Sequence, residues 1–476
     1  MKLVLVAVPL ITTRFPPLSL ALLAGQLKAD GHATKCLDLS IETYHAVSDE
    51  LKEYWTFYKG FQWLDNSHFR DFIFPNIIQK NLQTWLNLVL DENPDIVGIS
   101  VTEAASALYL AKILKVFRPE LPIVVGGPRC SKIYNDETFV PGRYFDAVVH
   151  NEGELTLSEL VRTYEAHGKF LPVDGASVRD EQGTVLFERL RERTMDLDTM
   201  PYPDFSDFDL SRYVDLDNPG NNPLCLPMYT SRGCPARCNF CMDYKMWDVY
   251  YRQKSPQRIA EEMLTLSRQY GVKDFHLIEL IFNGHHKKML ELCDYLIEAD
   301  HGISFFGHGR IDPRLDVDSL RKLKQAGFKW FIFGLETASN QLLKNMRKGY
   351  GKDTASRVLK SMGEVGMSCS VNLITGLPGE TQADHEETMQ FLYEHRQYIA
   401  IPPAISECIL ISGTDLALYP EKFGIKTNAA GKVACSYNWE TSSGDNTLEI
   451  RLARKAEMTK VFKEWQWGTA AVETLA

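Results

Sequence analysis

The chain has 476 residues, 45% of them hydrophobic and 24% charged, and a formal net charge of −10. That length exceeds an ordinary domain and predicts two or three, each able to bury a core. The acidic balance excludes a global field for a nucleic-acid backbone, so no nucleic-acid partner is expected. No apolar run approaches the roughly 18–20 residues of a membrane span, so no membrane association is expected either.

Met1–Val8 is apolar but short, and Pro9 and Phe15-Pro16-Pro17 follow it. It lacks the basic start, longer apolar core and cleavage site of a secretory signal. A first strand and a cytoplasmic location are expected. Leu18–Ala29 has helical periodicity and ends at Gly31, and Ala33–Leu39 reads as a second strand. Asp95–Val101 is a third strand, with a helix at Ala104–Phe117. Pro122–Val125 is a fourth, ending at Gly126-Gly127-Pro128. Phe145–His150 is a fifth, leading through Asn151-Glu152-Gly153-Glu154 into the helix Thr156–His167. This alternation predicts a Rossmann-like, doubly wound α/β domain over residues 1–165. Its ligands should sit at the carboxyl ends of the strands, on the loops Pro9–Pro17, Ser100–Ala105, Gly126–Ser131 and Asn151–Gly153.

Residues 41–92 interrupt that domain with an aromatic-rich stretch, including Trp55, Trp63 and Trp85. A structureless loop of that length is improbable. A helical insert packed on the sheet is expected, with a lid or substrate wall as the alternative. Residues 166–222 read as a linker, with a hairpin signal where Ser177–Arg179 and Thr184–Phe187 flank Glu181-Gln182-Gly183.

The strand candidates of the next region, residues 223–400, are Pro227–Thr230, Asp274–Ile278, Ser304–Gly307, Trp330–Gly334 and Ser368–Thr375, with a sixth, Ile405–Leu410, just beyond it. Helices are expected between them, which matches a partial (β/α)6 barrel. Residues 401–476 form a small α+β segment expected to close the barrel and help set substrate choice.

There are ten cysteines. Cys36, Cys130, Cys225, Cys293, Cys369, Cys408 and Cys435 are scattered and read as reduced, buried small side chains. Cys234, Cys238 and Cys241 are clustered as C-x3-C-x2-C. Such a loop can turn three thiolates toward one cubane cluster and leave its fourth iron open to a ligand. The alternative, a zinc site, wants four ligands, and Cys225 and His276 lack finger spacing.

The cysteine loop after a first barrel strand, with Phe240 before its last cysteine, resembles the radical S-adenosylmethionine superfamily. The resemblance implies a [4Fe-4S] cluster on Cys234, Cys238 and Cys241, and S-adenosylmethionine chelated to the open iron. Reductive cleavage of that molecule gives a 5′-deoxyadenosyl radical in a dry pocket. Downstream segments match in order. They are Leu277-Ile278-Glu279-Leu280-Ile281-Phe282-Asn283, Gly307–Asp312, Gly334–Ser339 with Met346–Gly349, and Asn372–Thr381. They imply that Phe240, Glu279, Arg310, Glu336 and Asn372 contact the cofactor. For Glu336 an interior pair with Arg310 is the alternative, and Asn372 could be purely structural. Leu280 departs from the family's paired carboxylates. His285-His286 reads as a solvated helix start, and His308 as facing the cavity.

The first domain is similar to the cobalamin-binding domain that precedes the barrel in one large subgroup. The similarity rests on Pro16-Pro17, Pro94–Ser100, Val125–Pro128 and Glu152-Gly153-Glu154. It implies cobalamin held by Thr102, Glu103, Gly126, Gly127, Glu152 and Gly153, without a histidine on cobalt. Arg129 and Asn151 depart from the subgroup's usual histidine and glycine. The resemblance implies methyl transfer to an unactivated carbon of a small-molecule or peptide precursor, with flavodoxin or ferredoxin as the low-potential donor. Cyclisation or rearrangement is the alternative. A transfer-RNA methylthiotransferase and a non-enzymatic corrinoid or zinc protein are rivals that the ordered barrel segments argue against.

Overall fold

The computed structural model describes residues 1–9, 13–102, 104–132, 138–216, 224–247, 250–299, 302–400, 403–429, 431–433 and 436–465. The chain divides into two compact units, Met1–Pro227 and Met228–Ala476. No helix among the described residues is long and apolar enough to cross a membrane.

The first unit is built on strands β1 (Lys2–Ala7), β2 (Ala33–Asp38), β3 (Ile96–Ser100), β4 (Ile123–Gly126), β5 (Ala147–Val149), β6 (Ala176–Arg179) and β7 (Val185–Phe187). They form one sheet in the order β2-β1-β3-β4-β5-β6-β7. The first five are parallel. β1 is buried from Leu3 to Ala7, as a strand covered on both faces must be. The sheet winds outward in two directions from β1 and β3, which places a ligand crevice at their carboxyl ends.

The expected linker is corrected in part. Residues 176–187 form a hairpin, but β6 pairs antiparallel with β5 and extends the first sheet. Asp180 N donates to Thr184 O at 2.9 Å around the turn, and Gly183 takes φ 84°. The turn chemistry was legible, but the edge it joins is a tertiary choice.

The aromatic stretch is helical for most of its length, from Leu39–Ala46 to Gln79–Leu90, with a π-helical run at Phe69–Ile78. Trp55, Trp63 and Trp85 are buried. Their indole N–H groups donate to Ser40 Oγ, Tyr54 O and Thr43 Oγ1 at 2.8–2.9 Å. Three large rings with satisfied polar tips make a small core of their own.

The second sheet contains β8 (Cys225–Met228), β11 (Asp274–Leu277), β12 (Ser304–Gly309), β13 (Phe328–Glu336), β14 (Ser368–Thr375) and β15 (Ala404–Glu407). β9 (Ser231–Arg232) and β10 (Arg252–Gln253) form a separate ribbon. Each long strand lies beside its predecessor, and β11 to β15 pair in parallel. Helices Pro256–Tyr270, His286–Ala299, Val317–Gln325, Lys352–Glu364 and Gln382–His395 fill the crossovers. The result is a parallel half-barrel. His285 caps its helix, its Nδ1 accepting from Lys288 N at 3.3 Å.

The C-terminal helix Leu448–Glu464 is fastened to the end of β14. Arg451 is fully buried and donates to Tyr437 O and Trp439 O, each at 2.9 Å. A Cβ on Gly376, at φ 71°, would lie 2.0 Å from Arg451 Cγ, so the turn after β14 needs glycine there.

Candidate functional site

The cysteine loop is clamped at its base by the antiparallel ribbon, with Arg252 opposite Arg232 and Gln253 opposite Ser231. Gly233 turns the chain at φ 84°, and a Cβ there would sit 1.9 Å from Tyr250 O. The far side is tied down through Asn239. Its amide donates to Met346 O at 3.4 Å, its Nδ2 to Asn345 O at 2.8 Å, and its carbonyl accepts from Leu416 N at 3.2 Å. Arg347 and Lys245 both reach Asp415 beside this anchor, at 2.7 and 3.5 Å.

Within the loop Cys238 is buried, and Cys234 and Cys241 are half-buried. Burial pushes the Cys234 and Cys241 thiols up, and for Cys241 the Asp243 carboxylate adds to it. Cys241 Sγ lies 3.5 Å from Asp243 Oδ2. Among the described residues, no three His, Cys, Asp or Glu side chains gather about one ion position. Thiolates that each bind a different iron of a cube stand around it, so a cluster site does not require that convergence.

A ring of charged groups lies at the carboxyl ends of the half-barrel strands. Glu279 follows β11 and accepts from Thr230 N at 3.1 Å and Thr230 Oγ1 at 2.6 Å. Burial pushes its carboxyl up to about 7, against the pull of the Thr230 bonds. Arg310 follows β12, locked by a reciprocal pair with Asn283 at 2.8 and 2.9 Å. Its Nη1 stands 4.0 Å from Cys238 Sγ.

Glu336 ends β13 at a register shift between Gly334 and Glu336, with φ 66°. A bulge of this kind re-aims a side chain. The sequence alternative, Glu336 paired with Arg310, is corrected: its partner is Lys348, with Nζ 3.1 Å from Oε1. Burial, the largest influence, works to lower the Lys348 ammonium, but Glu336, Tyr350 and Cys238 together hold it above its ordinary value. Tyr350 donates to Gly334 O and Leu335 O at 3.0 and 3.2 Å. Phe240 is half-buried, with Lys348 Nζ 6.0 Å from its ring centre. Sequence reasoning quoted Asn283 and Lys348 within motifs without a role and missed Thr230 and Tyr350 as partners. The cation twelve residues after Glu336 was the one available signal.

Asn372 lies on β14 opposite Gly334, half-buried and without a side-chain hydrogen bond among the described residues. His276, Phe306 and Trp330 stack across β11, β12 and β13 at centroid distances of 4.5 and 4.3 Å. His308 stands 6.0 Å from His276. Burial lowers the His308 imidazole, which keeps it neutral.

In the first unit, Thr102 is exposed just beyond β3, while Glu103 lies outside the described residues. Gly126 ends β4, and a Cβ there would lie 3.3 Å from Val149 Cβ. Gly127 has φ 114°, and a Cβ would come within 2.7 Å of Val101 O. Beyond β5, Asn151 takes φ 62° and accepts from Ser131 Oγ at 3.2 Å. Glu152 and Gly153 are half-buried, and Gly153 opens the helix Glu154–His167. These residues share the carboxyl edge of one sheet.

The donor set fits a three-thiolate cluster with an anionic ligand. The loop turns at a position where only glycine fits. Arg310 and Lys348 bring positive charge to the side of the loop that holds Cys238, where an anionic cluster would sit. In the first unit, the glycines at the end of β4 let that turn pass close to Val149 and Val101, where a Cβ would crowd it, and so fix the course of the loop at the carboxyl edge.

Residues 228–392 match the Radical SAM superfamily. An uncharacterised methyltransferase of Pyrococcus horikoshii is 29% identical over 301 residues, covering 63% of this chain and 64% of its own. The anaerobic magnesium-protoporphyrin IX monomethyl ester cyclase of Rubrivivax gelatinosus is 27% identical, covering 79% of this chain and 62% of its own. The chain thus spans less than two thirds of the length of these two curated relatives. The solved structure of the radical S-adenosylmethionine methyltransferase TsrM of Kitasatospora setae, with cobalamin and a [4Fe-4S] cluster bound, superposes with a TM-score of 0.64. It covers 94% of this chain and 83% of its own at 18% identity, which shows a shared fold.

Proposed function

Residues 228–392 form a radical S-adenosylmethionine domain, and from that premise we propose that the chain is a cobalamin-dependent enzyme methylating an unactivated carbon. The substrate is a small molecule or a peptide. One observation carries the reading. A sheet ordered β2-β1-β3-β4-β5 precedes, in one chain, a half-barrel that opens with a three-cysteine loop. The first is a ligand-binding topology at its strand ends, and the second offers three cysteines suited to an open-iron cluster at the face where barrels carry chemistry.

Cys234, Cys238 and Cys241 hold the cluster; Thr102, Gly126, Gly127, Glu152 and Gly153 hold the corrin, with Glu103 assigned from sequence alone. When bound, the cluster supplies one electron to S-adenosylmethionine, and the corrin supplies the methyl group. Arg310 and Lys348 neutralise the thiolate side of the site. Glu336, held by Lys348, and Glu279, held by Thr230, orient the charged end of S-adenosylmethionine, and Asn372 takes its ribose. His308, neutral and unable to bring a fixed charge, faces the substrate. Flavodoxin or ferredoxin provides the electron.

The test is anaerobic reconstitution, followed by assays for iron, sulfide, cobalt and reductant-dependent 5′-deoxyadenosine. A protein that binds zinc without iron and sulfide sinks the reading. A second reading, ring closure, is favoured by the cyclase of Rubrivivax gelatinosus, which aligns over 79% of this chain. S-Adenosylmethionine with a deuterated methyl group separates the two. Label in the product means methyl transfer, and an unlabelled cyclised product means ring closure.

A further inference from the structure

The cluster must be reduced from outside, and the loop that would hold it and the segments tied to that loop carry several exposed cations. Arg237, between the cysteines, is exposed. Lys344 is exposed on the helix Asn340–Asn345, whose last carbonyl accepts from Asn239 Nδ2 at 2.8 Å. Arg347 follows that helix and pairs with Asp415 at 2.7 Å. The helix Asp415–Leu418 is pinned to the same loop by Leu416 N donating to Asn239 O. It ends in two large exposed side chains, Leu418 at 52% and Tyr419 at 48%. Lys422 lies 4.4 Å from the Tyr419 ring centre. Neither Arg237 nor Lys344 has an ion pair among the described residues. Four cations and two exposed apolar side chains therefore lie on segments joined through Asn239, one residue from Cys238, against two carboxylates there, Asp415 and the exposed Glu421. In a chain of net charge −10, a uniform surface would repel an acidic partner.

We propose that this face, Arg237, Lys344, Arg347 and Lys422 with Leu418 and Tyr419, docks a small acidic one-electron donor protein over the cluster. The inference rests on the radical S-adenosylmethionine reading above. One electron passes from the donor's low-potential centre to the cluster, the donor is oxidised by one electron, and no bond forms between the proteins. Opposite charges at a rim raise the association rate and make it salt-dependent, more than they deepen affinity.

The test compares two reductants on the reconstituted full chain. Lys344→Glu with Lys422→Glu should slow bleaching of cluster absorbance by reduced flavodoxin about tenfold at low salt. The difference should close at about 0.5 M salt. Reduction by dithionite, which needs no docking, should be unchanged. The single variant Arg347→Gln should show a smaller loss with the same salt dependence. Equal flavodoxin rates in all variants, or a change in sedimentation mass that assigns the face to a second copy of the chain, would overturn the docking surface alone. A cluster that dithionite itself fails to reduce would overturn the surface and the function together.

Discussion

Lys348 Nζ lies 3.1 Å from Glu336 Oε1, with side-chain exposures of only 6% and 10%. Neither charge has bulk water to fall back on. Removing one partner strands the other, which typically costs about 3–5 kcal/mol. Lys348→Ala should therefore lower unfolding free energy by about that amount. Glu336→Gln, which keeps the shape and an acceptor, should cost less. The double variant should cost less than the sum of the two, because the stranded charge is gone. Urea denaturation under anaerobic conditions checks all three.

Glu279 gives the site a pH dependence whose sign can be worked out. Its carboxyl is pushed from an ordinary 4.5 up to about 7 by burial. Below pH 4.5 both folded and unfolded chains hold the proton, and the group is neutral to stability. Between about pH 4.5 and 7 the unfolded state gives it up first, so stability falls as pH rises. Glu279→Gln removes that loss. It should match the wild type near pH 4.5 and exceed it by about 3 kcal/mol at pH 7.5 and above, in the absence of cofactors. Denaturation midpoints across the pH series measure it; a constant difference would refute the assignment.

The alternation of strands and helices was legible because buried parallel strands read as short apolar runs between breakers. β1 to β5 fall within a few residues of their expected bounds. What periodicity could not give was order. That β3 lies beside β1, and that the hairpin at 176–187 docks on β5, are settled by packing between segments far apart in sequence. The same holds in the charged ring. Glu279 was visible as a carboxylate after a strand, but Thr230, which holds it, lies 49 residues earlier. Glu336 was visible in a motif, yet the bulge that turns it toward Lys348 leaves no mark in composition.

Gly127 tests the corrin assignment without touching the half-barrel. A Cβ there would lie 2.7 Å from Val101 O and 2.9 Å from Val101 N, at φ 114° where L side chains are strained. Gly127→Ala must displace the loop after β4. Cobalamin affinity should fall about tenfold or more, equivalent to at least about 1.4 kcal/mol. Cluster content should stay at the wild-type level. Anaerobic titration with hydroxocobalamin, followed by absorbance, reads the first, and iron and sulfide assays the second. Unchanged cobalamin binding would move the corrin away from this edge of the sheet.

The cysteine loop makes the sharpest prediction, because its three thiols differ in setting but not in expected consequence. Cys238 is buried beside Arg310, whereas Cys234 and Cys241 are half-buried, the last against Asp243. If their work is ligation of one cluster, each is equally necessary, since a cubane with two protein thiolates is poorly held. Cys234→Ala, Cys238→Ala and Cys241→Ala should each abolish reductant-dependent 5′-deoxyadenosine and strip most iron and sulfide, while cobalamin uptake persists. Folding should survive in all three, because the loop is fastened independently by the β9–β10 ribbon and by Asn239. Iron analysis, product chromatography and thermal unfolding on the same samples decide it. A triple variant that still cleaved S-adenosylmethionine reductively would show that the loop carries no cluster.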